Sequence, residues 1–255
     1  MLKKRIIPVL LLKDSRMVKG VNFKDYRDTG NPVSQVKIYT SQYTDELIFI
    51  DIQATLDSRE SLIKIIKDSA KESQMPFAVG GGIKSLSDIR EILSAGADKV
   101  LINSAAFENY DFISEAVSKF GSQAIVLGID YKLDSASSKN VVWTHCGTKK
   151  TNIEPLKLAQ IYNNLKVGEL MLNSIDRDGM MIGYDIDLAD KVSKAVNVPV
   201  ILCGGAGNFD HLTQAFNKTG IAATACGSLF HFGDNSPIRA RSYLRNLDIP
   251  MRVLK

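Results

Sequence analysis

The chain repeats itself, and the repeat limits its fold more than any other feature. In the first half, DELIFID (45–51) is followed by VGGGIKSLSDIREILSAGADKVLINSAAF (79–107). In the second half, GELMLNS (168–174) is followed by LCGGAGNFDHLTQAFNKTGIAATACGSLF (202–230). Glu46 matches Glu169 and Gly81 matches Gly204 at one and the same separation. Each half carries four short apolar runs: RIIPVLLL (5–12), ELIFIDI (46–52), PFAVGG (76–81) and KVLIN (99–103), then AIVLGID (124–130), ELMLNSI (169–175), PVILCGG (199–205) and IAATACG (221–227). The runs are continuous rather than alternating, so both faces of each strand are covered, as in parallel strands packed under helices. Helical patterns lie between them, at 61–73, 85–96 and 187–196. Eight strands alternating with helices fit a barrel or a doubly wound sheet. Duplication into two four-strand halves favours the barrel. The expected fold is therefore an α/β (β/α)8 TIM barrel made of two similar half-barrels. At 255 residues the chain is close to the ~250 typical of that fold, and one domain is expected over 1–255. The longest polar stretch, LDSASSKN (133–140), is read as the start of a hairpin that includes VVWTHCGTKK (141–150).

Composition narrows the function by exclusion. Hydrophobic residues make up 45% and charged residues 24%, the mixture of a globular protein. The formal net charge of +4 comes from scattered residues, so no nucleic-acid surface is expected, and the run Lys3-Lys4-Arg5 is read as a solvated strand end. No apolar run reaches the ~20 residues of a membrane span, and the N-terminus runs straight into a strand rather than a signal peptide. Cys146, Cys203 and Cys226 are odd in number and lack CxxC spacing, which argues against a closed disulfide set and points to a reducing cytoplasm. His145, His211 and His231 have no metal-ligand spacing and are expected to be structural or exposed. No metal or cofactor is implied.

In such barrels the chemistry sits at the C-terminal ends of the strands. The third strand ends in Gly80-Gly81-Gly82, the fourth in Asn103-Ser104, the seventh in Gly204-Gly205-Ala206-Gly207 and the eighth in Gly227-Ser228. Glycine lets backbone N–H groups approach an anion, and a helix N-terminus adds partial positive charge. One such loop is as often a plain turn. Two at matching positions imply opposed phosphate sites, and hence a small molecule phosphorylated at both ends. Carboxylates also end strands: Asp51, Asp130, Asp176 and Asp178. Each of the others can be a cap or turn residue. Asp130 ends the strongly apolar AIVLGI, where a carboxylate costs desolvation, and acid–base chemistry would give it a purpose. Aligning the first strand on the fifth sets Leu11 against Asp130, so only one acid of a pair across the mouth is present.

KRIIP (4–8), VKGVNF (18–23), DELIFIDI (45–52), VGGGI (79–83), GADKVLINSAA (96–106), FGSQ (120–123), SIDRDGMMIGYD (174–185), CGGAGN (203–208) and SLFHF (228–232) together resemble the cyclase subunits of imidazole glycerol phosphate synthase, over essentially the whole length. The resemblance implies a glutaminase partner on the N-terminal barrel face. It also implies passage of ammonia through the barrel to a bis-phosphorylated aminoimidazole carboxamide ribonucleotide, and acid–base work by aspartates ending strands one and five. Carried over residue by residue, it assigns catalysis to Asp130, a substrate-loop role to Lys19, and phosphate contacts to Gly82, Asn103, Asp178, Gly179, Gly204, Gly227 and Ser228. It assigns an ammonia gate to Arg5, Glu46, Lys99 and Glu169, with Asp98 beside it at the partner interface. From the residues alone, two acids and two bases could equally seal the barrel bottom. Three positions depart from the family: Leu11 for the first-strand aspartate, Cys203 for a serine and Asn173 for a threonine.

An intact gate with half an acid–base pair, together with IIPVLLLKD (6–14), is similar to an offshoot of the family. Its members accompany a glutaminase and a sugar amidotransferase in bacterial surface-glycan synthesis, and relay ammonia. That role is the expectation here. The alternatives are a histidine-pathway cyclase working with Asp130 alone, and a related phosphoribosyl isomerase, against which Lys99 and Glu169 argue.

Overall fold

A computed structural model describes residues 3–53, 56–232 and 234–252. Among the described residues twelve strands form: β1 (Arg5–Lys13), β2 (Arg16–Val21), β3 (Lys24–Gly30), β4 (Leu47–Asp51), β5 (Phe77–Gly80), β6 (Lys99–Ile102), β7 (Ile125–Asp134), β8 (Lys139–Thr144), β9 (Lys149–Lys150), β10 (Glu169–Ser174), β11 (Val200–Cys203) and β12 (Ala223–Cys226). Eight of them pair in parallel in the order β1, β4, β5, β6, β7, β10, β11, β12. β12 returns to β1, with Ile6 beside Thr224, and closes a (β/α)8 barrel. All eight apolar runs become its strands.

The strands read as continuous apolar runs because they are buried on two sides. One set of side chains, among them Ile7, Val9, Ile48, Ala78, Leu101, Val126, Met171, Ile201, Ala223 and Ala225, fills the barrel. The alternate set, such as Ile6, Leu10, Leu47, Phe49, Leu127 and Leu202, packs under the outer helices. Each fully buried aliphatic side chain contributes roughly 1.5–3 kcal/mol. Helices run over Leu56–Glu72, Leu86–Ser94 and Ile186–Ala195, within a few residues of the expected spans. Ser85 and Asp88 cap the second of these reciprocally, each side chain accepting the other's backbone N–H.

Two hairpins interrupt the alternation at equivalent places. β1 continues past the barrel into antiparallel β2 and β3, with Leu11 opposite Val18. β7 continues into β8 and β9, with Asp130 opposite Trp143. The second is the hairpin expected from the sequence; the first was not. Both fold over the C-terminal ends of the strands. The repeat holds in the register: Leu11 lies beside Ile50, and Asp130 beside Asn173. Among the described residues no helix is long and apolar enough to cross a membrane.

Candidate active site

At the N-terminal end of the barrel four charges close into a ring. Arg5, Lys99 and Glu169 are the first residues of β1, β6 and β10, and Glu46 immediately precedes β4. Arg5 pairs with Glu46 at 2.5 Å and with Glu169, and Lys99 reaches Glu46 at 2.7 Å and Glu169 at 2.8 Å. Every member therefore has two partners of opposite sign. Burial works against the Glu169 carboxylate, yet Arg5 and Lys99 hold it below the ordinary range. Burial likewise opposes the Arg5 charge, and Glu169 and Glu46 outweigh it and raise its pKa. Arg5 is thus turned into the ring and is not part of a solvated strand end, because its two carboxylate partners lie inward. Asp98, next to Lys99, is exposed on this face, and its carboxylate accepts the Phe77 N–H at 2.9 Å.

At the opposite end lies a cavity of about 440 Å³, lined by Leu11, Lys19, Tyr26, Gly82, Asn103, Asp130, Cys146, Asn173, Asp178, Cys203 and Gly227 among others. Asp130 is held from both sides. Asn103 Nδ2 donates to its Oδ2 at 2.7 Å, and Asn173 Nδ2 donates to its Oδ1 at 3.0 Å. Burial pushes its carboxyl up, to about 6, against those two donors, and Asp178 adds to the rise. A carboxyl balanced near neutrality can take up and release a proton. Across the mouth Leu11 offers only an apolar wall, packed with Ile50 against the barrel interior. Burial keeps the Cys203 thiol well above its ordinary pKa, and burial followed by Asp130 raises that of Cys146.

The glycine loops match in detail. Gly81 and Gly204 have φ of 108° and 87°, and a Cβ on either would stand 2.2 Å from Asp51 O or 2.5 Å from Ser174 O, the equivalent carbonyls of the preceding strands. Close backbone packing alone therefore requires these glycines. The next loops are more suggestive of a ligand. Asn103 and Gly227 precede the helices Ser104–Glu108 and Ser228–His231, and neither helix start has a side-chain cap. Uncapped N–H groups at matched positions suit an anion.

Lys19 of β2 closes the far side. Its Nζ lies 2.9 Å from both carboxylate oxygens of Asp178, and a Cβ on Gly227 would meet its Cε at 3.0 Å. Gly179 packs against the same hairpin, since a Cβ there would stand 2.5 Å from Gly20 O. The cavity thus brings together Asp130, Lys19, Gly82, Asn103, Asp178 and Gly227, while Gly179, Gly204 and Ser228 lie outside its lining. Of the other strand-end carboxylates, Asp51 lines the cavity and accepts the Gln53 N–H, and Asp176, after β10, accepts the Leu133 N–H of β7. His211 and His231 bond to the Gly207 N–H and the Gly227 carbonyl, and His145 stands at the β8–β9 turn.

Sequence reasoning missed three things here. Asn173 was noticed as a departure but not as a partner of Asp130. Tyr26 and Cys146 reach the cavity from the hairpins, and no motif marked them. Asn173 lies near the end of β10, in register with Asp130 of β7, a pairing that the repeat alone does not give.

The family model described as histidine biosynthesis protein matches residues 5–236. The chain is 45% identical over 253 residues to "Imidazole glycerol phosphate synthase subunit HisF" of Hydrogenobaculum sp. (strain Y04AAS1), covering 99% of this chain and 100% of that protein. With a match over nearly the whole barrel, the chain belongs to the histidine biosynthesis protein family.

Proposed function

We propose that this chain is the barrel subunit of an ammonia-using complex of the imidazole glycerol phosphate synthase type. A glutaminase subunit would dock on the face that carries Asp98 and the charged ring. Ammonia would pass Arg5, Glu46, Lys99 and Glu169, cross the apolar interior past Ala78, Ala223 and Ala225, and emerge beside Asp130. The observation that carries this reading is the pairing of the two ends: a closed ring of four charges at the strand starts, and a single balanced carboxylate at the strand ends.

The similarity to a HisF subunit favours the histidine-pathway reaction over the surface-glycan role expected from the sequence. In that reaction ammonia closes a ring on a bis-phosphorylated aminoimidazole carboxamide ribonucleotide, and the intermediate is then cleaved. Asp130 would move the protons. Gly82 and Asn103 would hold one phosphate, and Gly204, Gly227 and Ser228 the other, with Asp178, Gly179 and Lys19 closing over the ligand.

One observation keeps the second reading, ammonia relay to a sugar amidotransferase: Leu11 lines the mouth where a second acid would complete the pair. The deciding experiment reconstitutes the chain with a HisF-compatible glutaminase and measures glutamine-dependent turnover of the bis-phosphorylated ribonucleotide. Turnover supports the cyclase. Glutamine hydrolysis that responds to the chain, with no turnover of that substrate, supports the relay. A chain that neither binds the glutaminase nor alters its hydrolysis would overturn both.

A further inference from the structure

We infer that Asn173 is a positioning residue for Asp130, favouring the charged form of its carboxyl and aiming it at the mouth. The two stand side by side on β10 and β7. Asn173 donates to one carboxylate oxygen, and Asn103, from the end of the strand on the other side, donates to the second. An amide NH2 can only donate, and a carboxylate only accepts. Two such donors fit the ionised carboxyl, whereas a protonated Asp130 would set its own O–H against one of them.

The surroundings supply little else to hold that charge. Asp178, in the loop after β10, repels it. Tyr26 from β3, Cys146 from the turn after β8 and Cys203 of β11 are neutral groups near pH 7, and Asp51 at the end of β4 and His145 after β8 line the same cavity. Lys19 is occupied by Asp178, and among the described residues no lysine or arginine pairs with Asp130. Leu11 brings neither charge nor donor. The amides are the counterweight to burial.

The other end of Asn173 supports the assignment. The residue is 8% exposed, and its Oδ1 is buried without a hydrogen-bond partner among the described residues. An amide with an unmatched buried oxygen costs stability. A smaller hydroxyl side chain, as in the threonine usual at this position of the family, would leave no such oxygen behind. Its Nδ2 is the second donor to Asp130 and, unlike a hydroxyl, that group can only donate. That matters where Leu11 stands opposite Asp130, so the consequence for catalysis rests on the acid–base role proposed for Asp130. The titration below does not.

The test is a pH titration of the Asp130 carboxyl by 13C NMR, in the intact protein without substrate, with the signal assigned by its loss in Asp130→Asn. Losing one hydrogen bond to a charged group should move the midpoint in Asn173→Leu about 1–2 pH units higher. Asn173→Thr, which keeps a donor, should fall between it and wild type. If leucine crowds the site and the variant does not fold, Asn173→Ala gives the same comparison. A merely structural role would lower the unfolding midpoint and leave the titration in place. Coincident midpoints in wild type and in the folded leucine or alanine variant would overturn the inference, whatever reaction the mouth performs.

Discussion

Lys19 and Asp178 form a two-pronged ion pair, 2.9 Å to each carboxylate oxygen, which fastens the first hairpin to the loop that follows β10. Asn22 reinforces it. Its backbone N–H donates to Asp178 O at 2.8 Å, and its side-chain amide donates to the carbonyls of Ile175 and Asp176. The outer part of the hairpin is therefore held over the mouth by polar contacts: β3 is exposed along most of its length, whereas β2 buries Met17 and Val18. A segment held this way can lift without unfolding the barrel.

Lys19→Met tests that attachment. The methionine keeps the apolar stem and leaves Asp178 without its cation, so we expect a loss of about 2 kcal/mol. We also expect faster amide exchange in residues 16–30, with the barrel strands unaffected. Unchanged exchange in the hairpin would mean that Asn22 alone holds it.

The charged ring should make stability depend on acid. Glu169 has a folded pKa held below its ordinary value of 4.5 despite burial, through Arg5 and Lys99. A depressed carboxylate contributes stability that is complete above its unfolded pKa and is lost as pH falls through the folded one. The ring's own contribution to the urea midpoint should thus be constant from pH 7 to 5 and be lost below about 4.5. Lys99→Met removes one partner from both glutamates, and breaking a buried pair costs about 3 kcal/mol at neutral pH. Its acid slope should be shallower. Equal slopes in the two proteins would show that the ring does not set the acid response.

Asp130 has the opposite sign. Burial raises its carboxyl to about 6. The folded protein therefore pays for the charge once pH exceeds the unfolded value of 3.8, and the whole cost is present above about 6. Asp130→Asn should gain on wild type as pH rises from 4 to 7, by on the order of 2 kcal/mol. Part of that gain is cancelled because one amide donor would then face another. Thermal unfolding of the two proteins at several pH values reads the difference directly. A gap that narrows with rising pH would contradict the balance described here.

How much of this was legible in the sequence depended on what each residue was selected to do. The barrel strands were readable because burial on both faces forces a run such as ELIFIDI to be apolar throughout. The repeat placed Glu46 and Glu169 at equivalent strand starts, where both pair with Arg5 and Lys99. The first hairpin was not readable, since KDYRDTG has no apolar alternation and becomes a strand only through its pairing with β2. The glycines were legible as close approaches, but Gly81 and Gly204 meet neighbouring strand carbonyls, which a sequence cannot distinguish from a ligand. The hold of Asn173 on Asp130 needs the register of two strands far apart in sequence, and only the fold supplies it.

Leu11→Asp decides what the missing acid means. Leu11 lines the mouth, partly buried, on the strand equivalent to that of Asp130, so an aspartate there would face the same cavity. Loss of one partner of an acid–base pair costs on the order of 10²–10⁴ in rate. If the chain is a cyclase that works with Asp130 alone, wild type should turn over the bis-phosphorylated ribonucleotide slowly, and Leu11→Asp should raise that turnover at least about tenfold. The increase should appear with ammonium salt as well as with glutamine, because the ring and the glutaminase are bypassed in the first case. Cys203 and Asn173 also line the cavity and differ from the family pattern, so a full recovery is not expected. Wild-type turnover within tenfold of a two-acid cyclase would show that one carboxylate suffices. Absence of turnover in both proteins, with glutaminase activation intact, would shift the assignment from cyclase to relay, since the mouth would then deliver ammonia without using it.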